Sequence, residues 1–79
     1  MDYKKLREMV SHRVTFEFDS GAKVVGYIAS CMPATGPVQL LTLSKVQILD
    51  GASKLLGKYE EYPLVPNNLV GFQVTEGPL

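Results

Sequence analysis

The chain lacks most of what usually staples a small fold. It has one cysteine, Cys31, so no internal disulfide can form. With His12 the only histidine, Cys31 cannot complete a four-ligand zinc site, and no cofactor or metal is expected. Net charge is missing as well. Eight lysines and arginines balance eight aspartates and glutamates, so no global basic field exists to hold nucleic acid non-specifically. No apolar run approaches the ~20 residues of a transmembrane helix, and the opening Met-Asp-Tyr-Lys-Lys lacks the apolar core of a signal peptide. A soluble, intracellular, cytoplasmic protein without a membrane partner is expected, and a lone free cysteine accords with a reducing compartment.

Length sets the next bound. Seventy-nine residues make a single domain, 1–79, with no room for a separate cofactor-binding lobe. A chain of this size hides only roughly 60% of the surface that its unfolded form exposes, so its core is thin. With disulfides and metals removed, association with further copies is the remaining supplement.

Charge is unevenly placed. From Gly26 to Leu49 the only charged residue is Lys45, whereas Met1 to Val25 carries a net +1 and Asp50 to Leu79 a net −2. Asp2 to Val10 reads as a short helix within an N-terminal segment 1–11. Asp2 suits its positive end, and Tyr3, Leu6 and Val10 form one apolar stripe. So short a helix is not stable alone in water and must lie on something.

The rest reads as strands, 13–75, with 76–79 a loose tail. Arg13 to Asp19 alternates strictly, with Val14, Phe16 and Phe18 on one face. Asp19-Ser20-Gly21 is a turn, and Ala22 to Cys31 is the returning strand. Gly26, in its middle, marks the bend at which a long strand curls over itself. After the loop Met32 to Gly36, a third strand runs from Pro37 to Asp50, a turn region from Asp50 to Lys58, and a fourth strand from Tyr59 to Val65. Pro63 places that strand at an edge or a bulge. Pro66-Asn67-Asn68 turns into a last strand, Leu69 to Thr75. The expected fold is mainly β: an N-terminal helix and a strongly bent five-stranded antiparallel sheet, an open SH3-like barrel. Such a barrel has two bare edges, and complementary edges join head to tail into a ring when the rotation closes.

The order of elements from about Leu6 to Val74 resembles the Sm and Sm-like (LSm) proteins. Asp19-Ser20-Gly21, Gly26 in the bent strand and Val38-Gln39-Leu40 resemble the family's first motif. Leu64-Val65-Pro66-Asn67-Asn68-Leu69 falls where the second motif, typically Ile-Arg-Gly-x-Asn-Ile, belongs. The apolar ends match and the polar centre does not. The resemblance implies a homo-oligomeric ring of roughly five to eight subunits, with strands four and five pairing between neighbours. It also implies RNA binding of the chaperone type, with single-stranded RNA on the inner rim. There, relatives stack a base on an aromatic or histidine, bond its edge with an asparagine and cover it with an arginine. Here the loop Met32 to Gly36 has no aromatic, Gln39 replaces the asparagine, Val65 stands for the arginine, and Pro66 has no backbone N–H to offer.

Candidate RNA contacts are therefore Gln39, Asn67 and Asn68 at the rim, and Lys4 and Arg7 on the helix, with Lys5 beside them. The plain alternatives are an exposed strand amide, good turn residues, and a solvated helix face near Glu8. Tyr59, Tyr62, Leu64, Phe72 and Val74 lie on the two edge strands and are candidates for a seam between subunits, or else core residues. Catalysis is not expected. Cys31 and His12 lack an orienting third group, and Glu60 and Glu61, adjacent on a strand, point to opposite faces. Two alternatives to an RNA-binding ring stand: the same ring as a protein-assembly scaffold, and a monomeric SH3-like interaction barrel.

Overall fold

A computed structural model describes residues 2–67 and 69–75. The elements follow in the order α1 (Tyr3–Glu8), β1 (Arg13–Phe18), β2 (Lys23–Met32), β3 (Leu40–Leu49), β4 (Leu55–Leu64) and β5 (Leu69–Val74). One antiparallel sheet contains all five strands in the order β4-β3-β2-β1-β5. The fold is the expected one, a short N-terminal helix on a bent five-stranded sheet. The tail 76–79 and Met1 fall outside the described residues.

Helix α1 starts where Asp2 caps it: Asp2 Oδ1 accepts from the Lys5 backbone N–H at 3.0 Å. It closes two residues earlier than its apolar stripe suggests. Met9 N donates to the Leu6 carbonyl and Val10 N to that of Arg7, a tightened last turn, and Ser11 then takes φ +74°. The helix buries Leu6 completely, among Val14, Phe16, Ile28, Leu41 and Leu43 of the strands. That contact is what a six-residue helix needs in order to persist.

The sheet bends at a defined place. Val25 pairs with Gln47 and Tyr27 with Ser44, so two residues of β3, Lys45 and Val46, oppose Gly26. Lys45 sits at φ +52°, the left-handed conformation that a bulge of this kind requires. A second shift between Ile28 and Ser30 bends β2 again. Together they swing the two halves of the sheet around one core.

Strand β4 is longer than its sequence suggests, beginning at Leu55 rather than Tyr59. The preceding turn closes within a few residues because Asp50 organises it. Asp50 Oδ1 accepts from the N–H groups of Ala52 and Lys54, each at 2.9 Å, and Asp50 N donates to the Lys54 carbonyl. Leu55, Gly57 and Lys58 are thereby free to pair with Leu49, Ile48 and Gln47. Strand β3 in turn begins at Leu40, not Pro37; Gln39 N closes the preceding loop on the Met32 carbonyl at 2.8 Å.

Candidate assembly edges and nucleic-acid rim

The sheet order leaves β4 and β5 each paired on one side only. Unpaired edges carry rows of free N–H and C=O groups, and proteins normally blunt them with charge or cover them. The β5 edge is largely apolar, and the β4 edge mixes apolar residues with the exposed charges of Lys58, Glu60 and Glu61. On β5, Val70 is 63% exposed and Val74 is exposed too; on β4, Leu56 is 62% exposed, with Leu55 and Tyr59 also open. The Tyr59 ring lies 5.6 Å from that of Tyr62.

The seam residues expected from the sequence divide. Tyr59 and Val74 are exposed on the edges, while Tyr62 and Phe72 are half-buried and pack against the chain's own core. Phe72 also meets Phe16, their ring centroids 6.4 Å apart. Leu64, at 5% exposure, packs in the core opposite Leu41, the other of the two places expected for it. Sequence reasoning missed Leu55, Leu56 and Val70. The first two were hidden by assigning 50–58 to a turn; an apolar pair beside Gly57 was the available signal.

The other candidate region gathers at one end of the barrel. The β3–β4 ladder ends with Leu41 opposite Leu64. Gln39, before β3, and residues 65–67, after β4, therefore leave the ladder from the same end. Gln39 and Asn67 are both exposed, and Asn67 N closes a tight turn on the Val65 carbonyl at 2.8 Å. Asn68 lies outside the described residues. Val65 and Met32 are exposed at the same end, which makes this rim largely uncharged.

The helix residues also divide. Lys4 is exposed and faces solvent. Arg7, a candidate RNA contact, bonds within the chain: its guanidinium Nη2 donates to the Pro33 carbonyl at 2.9 Å and to the Gly36 carbonyl, while its Nε is buried without a hydrogen-bond partner among the described residues. Nearby, the Cys31 thiol faces the Leu6 carbonyl at 4.0 Å. Burial pushes that thiol's pKa up, and the Arg7 cation pulls it partly back. A thiol held in its neutral form is a poor nucleophile. Among the described residues no group of three or more His, Cys, Asp or Glu side chains is placed to hold a metal ion, and no helix is long and apolar enough to cross a membrane.

No protein-family model and no curated protein matches the chain by sequence. Solved structures do match by shape. The Sm protein of Pyrococcus abyssii, solved in complex with a uridine heptamer, superposes with a TM-score of 0.76 over 95% of this chain and 99% of its own, at 9% identity. An Sm-like protein from Archaeoglobus fulgidus superposes with a TM-score of 0.70 over 95% of each chain, at 18% identity. The fold of this chain is that of the Sm and Sm-like proteins.

Proposed function

We propose that this Sm-fold chain assembles head to tail through β4 and β5 into a closed ring that binds single-stranded RNA. The observation that carries the reading is the pair of bare edges, β4 and β5, at the two ends of one sheet, each with exposed apolar side chains: Leu55, Leu56 and Tyr59 on one, Val70 and Val74 on the other. Two different edges of one molecule, each fitted to the other, make a heterologous contact, and repetition closes it. The RNA half of the reading is supported by the uridine heptamer bound to the Pyrococcus abyssii protein of the same fold. The rim formed by the β2–β3 loop and residues 65–67 is the place for it, with Gln39 and Asn67 offering amides to base edges. The chain acts as one domain and as a binding module, not a catalyst, in the cytoplasm.

This rim would bind in its own way. It offers no cation at Val65 and no aromatic in the loop 33–37, so affinity would come from amides and backbone groups more than from phosphate neutralisation. Fluorescence anisotropy with a panel of short single-stranded RNAs at low salt tests this. Saturable binding with a shallow salt dependence is expected; no binding to any member removes the RNA half.

A second reading has its own support. Val65, Pro66 and the uncharged loop 33–37 suit an apolar protein segment as well as a base, which would make the ring an assembly scaffold. Capture of a defined protein partner that survives nuclease treatment favours it; capture of RNA alone counts against it.

A further inference from the structure

The loop between β2 and β3 is anchored at its far end by Val38, 4% exposed in the core. Its residues 33–37 are exposed throughout, and two of them, Pro33 and Pro37, have no N–H to give to a ladder. Gln39 N to the Met32 carbonyl closes its base. Beyond that, its tether among the described residues is a side chain from another element: Arg7 of α1 spans to the carbonyls of Pro33 and Gly36, 26 and 29 residues away in sequence. The two carbonyls lie near the two ends of the loop, so one planar guanidinium pins both.

From this geometry we infer that Arg7 is a positioning residue for the rim, holding the β2–β3 loop, and with it Gln39, in a fixed place relative to helix α1. The inference rests on the RNA reading above for what the rim binds, but not for the tether itself. The choice of arginine follows from chemistry. Both bonds leave from one terminal nitrogen, Nη2, whose two N–H groups are held in the rigid guanidinium plane, whereas a lysine ammonium is a compact point charge on a flexible stem. The cost of the unbonded, buried Nε also argues for a specific role, since a surface cation meeting phosphates has no reason to bury a donor. Helix α1 is fixed in turn by Leu6 in the core, so the chain of support runs from core to helix to loop to rim.

Two roles for Arg7 separate cleanly in two variants, R7K and R7M, with circular dichroism confirming that each folds. R7K keeps the charge and loses the planar group; R7M keeps an unbranched side chain and loses both. Hydrogen exchange at the Gln39 amide reports loop opening without any RNA. Anisotropy with a short uridine-rich single-stranded RNA, repeated across salt concentrations, reports binding. The expected result is faster Gln39 exchange in both variants, affinity lowered about tenfold in both, and an unchanged slope of affinity against salt. If R7K instead retains wild-type affinity while R7M loses it and the salt slope falls by about one, Arg7 is a phosphate contact and the inference is overturned. Unchanged Gln39 exchange in both variants overturns it as well. If the wild type binds no RNA while exchange still accelerates, the tether stands and the RNA reading fails.

Discussion

Gly26 and Val46 are in contact across the bend of the sheet: a Cβ placed on Gly26 would stand 3.0 Å from Val46 Cγ2 and 3.2 Å from the Ser44 carbonyl oxygen. Glycine is required here by close approach, not by an unusual φ. At the bulge in β3, the Val46 side chain and the Ser44 carbonyl stand so close to Gly26 that even a methyl would require them to give way by a few tenths of an ångström.

The Gly26→Ala variant should therefore lose stability by about 1–3 kcal/mol, the usual cost of overpacking a filled core. Urea unfolding measures it, and G26V should lose more because a branched side chain meets the Ser44 carbonyl directly. A G26A variant as stable as the wild type would mean that the β3 bulge can move aside at little cost.

The edge account predicts a separation of assembly from folding. Val70 is exposed on β5, so Val70→Lys should leave the monomer's fold intact by circular dichroism. Charge on an edge strand opposes pairing with another chain, and the native mass should fall to that of one subunit. Leu64→Ala should behave oppositely. It removes a core side chain and should cost about 2–5 kcal/mol of stability before any effect on assembly.

Cys31 gives a pH signature. Burial raises its folded pKa, so at mildly alkaline pH it holds a proton that the unfolded chain has begun to release. The contribution to stability is complete below the unfolded pKa and is lost as pH rises through the folded one. Iodoacetamide should accordingly modify native Cys31 more slowly than the same cysteine in the unfolded chain. Mass spectrometry follows the reaction, and equal rates would contradict the buried, neutral thiol.

At the rim, Gln39→Ala should weaken RNA binding by about 1 kcal/mol, the scale of one net hydrogen bond, with stability unchanged because Gln39 is exposed. The Gln39 backbone bond to Met32 does not depend on its side chain, so the variant isolates the amide. Anisotropy with the same RNA measures it.

The sequence carried the element order because its local signals are strong. Alternation in Val14, Phe16 and Phe18, the turn at Gly21 and the lone Gly26 each have one structural reading, and the sheet uses all of them. It misplaced the start of β4, because Asp50 closes its turn through bonds to Ala52 and Lys54 that composition does not reveal. Leu64 and Tyr59 look alike as apolar residues on one strand. Five residues apart, they fall on opposite faces of β4, and the sheet's curvature decides that the Leu64 face is the one closed over the core. Arg7 shows the same limit: its charge is plain in the sequence, but its reach to Pro33 and Gly36 depends on how helix and loop meet in space.

Assembly through the two bare edges is the central claim, and the native mass of the untreated and nuclease-treated protein tests it most directly. At micromolar concentration one discrete species of roughly five to eight subunits is expected, losing bound nucleic acid but not subunits on nuclease treatment. A single subunit's mass under both conditions would contradict the ring and leave a monomeric barrel.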